Sequence, residues 1–537
     1  MSAIADLIAA AEPAGSRPLA DLVTRLAADG HLDDAGAGPD LAIRGVAYDS
    51  RAVVPGGLFV AVPGAHVDGH DFVGRAAAAG AAAVITERHV AGVAIPQVIV
   101  NGSQRALASA SAWWYGDPSN EIAVIGITGT DGKTTTSFLA VAALEAAGVP
   151  TGLVGTIETK IGAVSAANPA HATTPEAPQL QAALRAMVQA GDRAAIVETT
   201  SHGLALGRVD AIAYDAAILT NLTHEHLDLH GTFEAYRAAK LSLFERLGSS
   251  GSGGPGGASA TKAEMLVPRS AIVNLDDRSA ALFVEAARAA GAAVIGYGAS
   301  ADADVRLEAL DDSREGIRIR FSAPSGRGKA RIALDGRFNA WNALAVIALG
   351  EAMALDPRAV TAGLESVERV RGRMERIEAG QPFAVVVDYA HSPASLEAVL
   401  DELGIRAREQ RGGLIAVFGS AGERDLAKRP LMGRVAGERC RLVVVTDEDP
   451  RGEDRQAILD EIAAGAEAVG RRRGDDLLLI ADRAEALAAA FERARPGDIV
   501  LLAGKGHEAS IIGPDGERPW DEAAEARRAL AARGFSG

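Results

Sequence analysis

The sequence predicts a three-part α/β protein built on mostly parallel sheets, and three observations carry the prediction. Short continuous apolar runs alternate with Ala-rich stretches of helical length. Nearly every run ends in a polar, Gly-rich or charged segment, as strands do where they deliver ligand-binding loops to the carboxyl edge of an open sheet. The length, 537 residues, suits three domains at roughly 100–200 residues each.

The elements follow in order. The first part, residues 1–118, carries the strand-like runs Gly57–Val62 and Ala83–Thr86. The second, 119–369, opens with Ile122–Ile127, a run suited to a strand buried on both faces. It continues with Thr151–Val154, Ala194–Val197, Ala216–Leu219 and Ala271–Asn274. The third, 370–537, repeats the pattern with Phe383–Val387, Leu414–Phe418, Leu442–Val445 and Ile499–Leu502, and is expected to be Rossmann-like. The Gly/Ser/Ala/Pro segment 248–260 reads as a flexible surface loop within the second part. Two sheet edges crowded with charge suggest a cleft between the second and third parts.

Composition narrows the function. A net charge of −16 argues against non-specific nucleic-acid binding, which depends on Lys and Arg neutralising phosphates, and against an anionic membrane surface. The single cysteine, Cys440, rules out an internal disulfide and a cysteine zinc site. The N-terminus lacks a basic leader and reads as an amphipathic helix. No run approaches the ~18–20 apolar residues of a membrane span. A cytoplasmic protein is expected.

The strongest local signal follows Ile127. Thr128-Gly-Thr-Asp-Gly-Lys-Thr-Thr135 lies between a strand and a helical stretch. The amides of Gly129, Thr130, Asp131, Gly132, Lys133, Thr134 and Thr135 suit a phosphate cradle, aided by the helix N-terminus. Lys133 would reach the β- and γ-phosphates, and the Thr134 hydroxyl would ligate Mg²⁺. The strict G-x-x-x-x-G-K-[ST] pattern is not met, because Ile127 holds the first glycine place. A guanine-reading N-K-x-D element is absent. The second part is therefore expected to be a P-loop ATPase-like domain.

Glu198 ends the run Ala194–Val197, where a carboxylate can face the loop and hold Mg²⁺, a hard cation that takes oxygen ligands. The next run leads into Asn221-Leu-Thr-His-Glu-His-Leu-Asp-Leu-His230. Its histidines and acids read either as a zinc cluster or as surface residues, and the strand-end position favours a functional reading of His226.

Together these segments resemble the Mur ligase family, along the whole chain and in the family's order. The resemblance rests on Gly129–Thr134, Glu198-Thr-Thr-Ser-His202, Asn221–His226, Asn339 and Asn342 in Arg337-Phe-Asn-Ala-Trp-Asn342, Gly372-Arg373, and Asp388-Tyr-Ala-His-Ser-Pro393. It implies a catalytic group of Lys133, Glu198, His226 and Lys240. It also implies Mg²⁺ associated with Thr134, Glu198, His226 and a carbamylated Lys240 (N6-carboxylysine). Carbamylation turns a cation that repels Mg²⁺ into an anion with oxygen donors. Asn339 and Asn342, one helical turn apart, would face adenine, with Arg373 and Asp388 on phosphate and ribose. Glu225 replaces the aspartate more usual before that histidine.

The first part resembles the uridine-nucleotide-binding domain of the ligases acting third and fourth in the family's series, through Tyr48-Asp-Ser-Arg51, Gly57–Gly64 and Asp68-Gly-His-Asp-Phe72. Tyr48 and Ser50 would contact the nucleotide precursor, and Thr173, Thr174, Ser201 and Arg208 its muramoyl-peptide end. Leu206 and Ala172 stand where relatives carry a glutamine and an asparagine.

In the third part, Arg424 lies in Gly422-Glu-Arg-Asp425, Glu448-Asp-Pro-Arg451 follows the next run, and Gly504-Lys-Gly-His-Glu508 the last. All three loops fall at carboxyl ends of one sheet and can converge on one small zwitterion. Arginines suit a carboxylate, whereas Glu448, Asp449 and Glu508 suit ammonium groups. The amino-acid-binding set is thus Arg424, Glu448, Asp449, Pro450, Arg451, Gly504 and Glu508. The Gly504–Glu508 element resembles the third-step ligases, which add a diamino acid. Ligases using meso-diaminopimelate usually carry Asp-Asn-Pro-Arg where this chain has Glu448-Asp-Pro-Arg451. Arg451 supports a second substrate carboxylate, and the extra negative charge equally suits lysine or ornithine.

The resemblance implies an ATP-dependent, monomeric ligase with Mg²⁺ as cofactor and ATP as co-substrate. Its other substrates would be a UDP-N-acetylmuramoyl-dipeptide and a diamino acid. Another amide ligase of the superfamily, such as a folylpolyglutamate synthetase, would share the phosphate loop but lack the Tyr48–Arg51 and Gly504–Glu508 elements. A non-catalytic nucleotide-binding scaffold would be expected to have lost Lys133, Glu198, His226 or Lys240, and all four are present.

Overall fold

The computed structural model describes residues 3–35, 40–64, 67–168, 172–223, 227–248, 268–313 and 316–535. The 248–260 loop falls almost wholly outside them. Three main sheets organise the chain. Helix α1 (Ala3–Ala10) precedes the first sheet but sends Ile4 into the core of the second. The first sheet contains β1 (Leu32–Asp34), β2 (Val46–Ala47), β3 (Leu58–Val60), β4 (Ala83–Thr86) and β5 (Gln97–Val100) in the order β1-β5-β4-β3-β2, with only β1 antiparallel. Helix α2 (Ser103–Tyr115) covers it with Leu107, Trp113 and Trp114.

Among the described residues the middle sheet has eleven strands. They are β6 (Ala123–Thr128), β7 (Thr151–Val154), β8 (Glu158–Ile161), β9 (Val164–Ala167), β10 (Ala194–Glu198), β11 (Ala216–Leu219), β12 (Ser270–Asn274), β13 (Ala293–Gly298), β14 (Val305–Ser313), β15 (Gly316–Ala323) and β16 (Gly326–Ile332). In the order β9-β8-β7-β10-β6-β11-β12-β13-β14-β15-β16, the stretch from β7 to β14 is parallel. The mostly parallel sheet expected from the apolar runs is therefore present. Along β6, Val124 and Ile125 point to opposite faces. Ile125 packs with helices α3 (Lys133–Ala146) and, later in the chain, α6 (Asn339–Ala352), and Val124 with α4 (Ala177–Ala190) and α5 (Phe233–Glu245). Ile125 is fully buried, so truncating it to alanine costs about 2–5 kcal/mol.

Strands β14–β16 are not among the runs identified from sequence. Ile317, Ile319 and Phe321 are buried while Arg318 and Arg320 between them are exposed. That alternation belongs to an antiparallel sheet wet on one face, and a search for continuous apolar runs passes over it.

The third sheet contains β17 (Glu375–Arg376), β18 (Ala384–Val387), β19 (Leu414–Phe418), β20 (Leu442–Val445), β21 (Leu477–Leu479) and β22 (Ile499–Leu502), ordered β17-β18-β22-β19-β20-β21. All but β17 are parallel. Helices α7 (Pro393–Glu409), α8 (Arg483–Arg493) and α9 (Glu522–Ala532), two further helices over Lys428–Arg439 and Arg455–Glu467, and the hairpin β23 (Ser510–Gly513) with β24 (Gly516–Pro519) belong to this unit. It docks on the middle unit through charge. Arg406 of α7 pairs with Asp335 and Asp312, each at 2.6 Å, and Arg376 also pairs with Asp335.

Candidate active site

The carboxyl ends of β6, β7, β10 and β11 meet at the phosphate loop. Two glycines make the loop possible. Gly129 has φ of +148° and lies so close to Thr220 that a Cβ would fall 1.8 Å from its Oγ1. Gly132 caps α3 at φ of +83°, where a Cβ would meet Asn342 Oδ1 at 2.6 Å. The loop is held from outside by β11's continuation. Thr130 N donates to Asn221 O at 2.8 Å and Asp131 N to Asn221 Oδ1 at 2.9 Å. Lys133 Nζ donates to Gly129 O at 2.9 Å and Thr130 O at 2.7 Å. Thr135 is buried in the first turn of α3.

Glu198 is wholly buried at the end of β10. Its carboxylate accepts from Thr134 Oγ1 (2.9 Å), Thr156 Oγ1 (2.7 Å) and Thr156 N (3.0 Å). Thr134 and Thr156 hydroxyls are themselves 3.3 Å apart. This oxygen-only set fits Mg²⁺, which binds through one or two carboxylates together with water and substrate phosphate. Thr156 was not foreseen; it follows β7 and could have been found by applying the strand-end rule to a Gly-Thr pair without charge. Lys240 is also buried, its Nζ 2.7 Å from Gly129 O and 4.8 Å from the centre of the Tyr236 ring. His226, with His224 and Glu225, lies outside the described residues.

The residues expected at the muramoyl-peptide end adjoin this pocket. Thr173 Oγ1 accepts from Thr156 at 3.0 Å, and Thr174 Oγ1 donates to Glu198 O at 2.8 Å. Arg208 Nη1 donates to Thr174 O at 2.9 Å and its other terminal nitrogen pairs with Glu176 at 2.7 Å. Ser201 Oγ is buried without a hydrogen-bond partner among the described residues. Tyr48 and buried Ser50 belong to the first sheet's edge, and Tyr48 Oη accepts from Gln179 Nε2 of α4 at 3.0 Å.

The residues expected to face the nucleotide come from both the second and the third unit. Asn342 Nδ2 donates to Asn339 Oδ1 at 2.8 Å, so the two share a helix face, and Thr136 donates to Asn342 Oδ1 at 3.2 Å. Arg373 brings the third unit to the loop: its Nη2 is 3.3 Å from Thr134 Oγ1, and its guanidinium lies 4.6 Å from the centre of the Tyr389 ring. Asp388 accepts from Met374 N and Ala390 N, both at 2.8 Å. Burial pushes its carboxyl above the usual range against the pull of Arg373. Tyr389, with rings of His391 at 4.7 Å and His507 at 5.0 Å, had not been singled out. Burial, then the charges of Arg373, Arg371 and Lys505, hold His507 down to about 2, so it is neutral.

The three loops expected to bind the amino acid do converge. Gly422 N donates to Asp449 O at 2.8 Å, and a Cβ on Gly504 would touch Glu448 at 3.5 Å. One expectation is revised. Asp449 and Glu508 face an internal cation, the buried Lys505, at 2.8 and 2.5 Å, and are not both available to substrate ammonium groups. Burial alone would lower the Lys505 pKa, but Glu508 and Asp449 outweigh it and hold it above the ordinary lysine value. Burial raises the Glu508 carboxyl although Lys505 opposes it. Glu448 Oε2 and Arg451 Nε are buried without hydrogen-bond partners among the described residues. Arg451 adopts φ of +53°, its N donating to Ile512 O at 2.9 Å, and follows Pro450. Arg424 is exposed at the rim.

Comparison with known proteins identifies the family. The Mur ligase middle domain matches residues 127–350, the Mur ligase glutamate ligase domain residues 372–506, and the Mur ligase family catalytic domain residues 42–109. The chain is 49% identical over 499 residues to the UDP-N-acetylmuramyl-tripeptide synthetase of Roseiflexus sp. (strain RS-1), covering 92% of this chain and 96% of that one. It is 40% identical over 427 residues to the UDP-N-acetylmuramoyl-L-alanyl-D-glutamate--2,6-diaminopimelate ligase of Bacillus velezensis, covering 80% and 83%. A solved structure of a ligase with that same activity superposes with a TM-score of 0.64 at 29% identity, covering 97% of this chain and all of the other. No helix among the described residues is long and apolar enough to cross a membrane. The chain belongs to the Mur ligase family and is an ATP-dependent acid–amino-acid ligase.

Proposed function

We propose that the enzyme adds meso-diaminopimelate to UDP-N-acetylmuramoyl-L-alanyl-D-glutamate through an acyl-phosphate, with units 1–118, 119–369 and 370–537 holding precursor, ATP and amino acid. The observation that carries the choice of amino acid is the Lys505–Asp449 pair. Lys505 shares its one charge between Asp449 and Glu508, so it offsets part of the negative charge that Asp449 adds to the loop and weakens the reason to prefer lysine or ornithine. Buried Arg451 Nε is then a donor for a second carboxylate and Glu448 Oε2 an acceptor for an ammonium group. The names of the relatives support the same substrate class.

The loop amides of Gly129–Thr135 and Lys133 hold the phosphates and bring the γ-phosphate to the D-glutamate carboxylate oriented by Thr173, Thr174, Ser201 and Arg208. Thr134, Glu198 and Thr156, with His226 and a carbamylated Lys240, would hold Mg²⁺, which when bound draws negative charge from the phosphates in transfer. Arg373 adds its charge to the same phosphates from the third unit. Attack of the carboxylate releases ADP. Attack of the amino acid's amine on the acyl-phosphate then forms the amide and releases phosphate. Closure of the third unit would keep water from the acyl-phosphate. Phosphate release with ATP, Mg²⁺ and the precursor, offering meso-diaminopimelate, L-lysine and L-ornithine separately, tests the reading. Release with diaminopimelate alone supports it, and preferential release with lysine or ornithine refutes the charge argument.

A further inference from the structure

Behind the amino-acid loops lies a buried ionic network that no substrate role explains. Arg483, the first residue of α8, is 0% exposed, as is its partner Glu522, the first residue of α9. Arg483 Nε and Nη2 reach the two Glu522 oxygens at 2.8 and 2.7 Å, a bidentate pairing. Trp520 Nε1 donates to Glu522 Oε2 at 2.6 Å. The remaining reach of the guanidinium goes to backbone. Nη1 donates to Asp447 O at 3.0 Å and Nη2 to Ala503 O at 2.8 Å.

Those two carbonyls are not arbitrary. Asp447 immediately precedes Glu448, and Ala503 immediately precedes Gly504. One planar cation therefore fixes the starting points of two substrate loops that leave strands β20 and β22, which are separated in the sheet by β19. The same network anchors the chain beyond them. Trp520 N donates to Ala509 O at 2.8 Å, just past Glu508, while Ile512 N donates to Asp449 Oδ1 at 2.9 Å. The bidentate pair uses two of the five guanidinium N–H donors, and the two loop carbonyls take up others. Here the fork geometry, which lysine cannot reproduce, is used to set the spacing of the loops.

We propose that Arg483, locked by Glu522 and Trp520, is a positioning residue for the amino-acid pocket, setting the distance between the Glu448–Arg451 and Gly504–Glu508 loops and so the fit of the incoming amino acid. The proposal rests on the assignment of those loops to the amino acid. It concerns whichever amino acid the wild-type enzyme accepts, so an error in the choice of diaminopimelate shows in the wild-type panel alone.

The test is the double variant R483M/E522Q, which removes both charges together and leaves Trp520 an acceptor. Full steady-state kinetics are measured for the three substrates, with melting temperature as the control on folding. The amino-acid KM is expected to rise at least tenfold, with the KM values for ATP and nucleotide precursor within twofold of wild type. Discrimination between the best and second-best amino acid is expected to fall. R483K, which retains the charge but not the fork, provides the reading should the double variant not fold, and the same selective rise is expected. An unchanged amino-acid KM in a folded R483M/E522Q or R483K enzyme, or equal rises for all three substrates, overturns the proposal.

Discussion

Replacing Lys505 by methionine should cost far more than the loss of one surface lysine. Lys505 is 1% exposed and lies within ion-pair distance of Asp449 and Glu508, whose side chains are 11% and 22% exposed. Methionine fills similar space but leaves two neighbouring carboxylates without their cation. Removing one partner of a buried pair costs about 3–5 kcal/mol. For a unit of this size each kcal/mol shifts Tm by roughly 2–4 °C, so the transition should fall by about 6–20 °C. The pH dependence has a definite sign. The Lys505 pKa is raised, so its contribution is complete below the unfolded lysine value, ~10.4, and is lost only as pH rises through the folded value. Between pH 5 and 8 its charge is constant. The Glu508 carboxyl is raised by burial and gains a proton more readily in the variant, so the deficit should shrink as pH falls from 8 to 5. Calorimetry of wild type and K505M at both pH values, with K505M/D449N as the partial rescue, measures this. A drop under about 3 °C at pH 8, or a deficit that grows toward pH 5, refutes the reasoning.

Three further outcomes follow from the geometry. G132A places a non-glycine residue at φ of +83° and a Cβ 2.6 Å from Asn342 Oδ1. At about 1–3 kcal/mol for the strained backbone, ATP affinity in a binding titration should fall roughly 5–150-fold, with precursor affinity unchanged. E198Q keeps the size of a buried group held by Thr134 and Thr156 but removes the charge that suits Mg²⁺. Its kcat should fall on the order of 10²–10³-fold while its melting temperature stays within a few degrees of wild type. D335N weakens the contacts of Asp335 to Arg406 and Arg376 that join the second and third units. The radius of gyration from small-angle scattering should then increase, and an unchanged value would show that these ion pairs do not set the domain arrangement.

The parallel sheets were legible because strands buried on both faces must be apolar along their length, as β19 is and as β6 and β10 are up to their last residues, Thr128 and Glu198. Strands β14–β16 were not, because one wet face breaks the run with arginines. The phosphate loop and Glu198 were legible because each directly follows an apolar strand. Thr156 follows one too, but carries no charge to draw notice. The state of Asp449 was illegible for a different reason. Its partner Lys505 is 56 positions away, and only the crossing from β20 to β22 makes them neighbours. Arg483 and Glu522 are 39 positions apart and meet because α8 and α9 pack in one core.

The central claim is that the precursor carboxylate is activated as an acyl-phosphate. It is tested most directly by supplying precursor labelled with ¹⁸O in the reacting D-glutamate carboxylate, together with ATP and meso-diaminopimelate, and analysing the released phosphate by mass spectrometry. One ¹⁸O atom per phosphate is the predicted result. Label in AMP, or phosphate released without label while the amide forms, would contradict it.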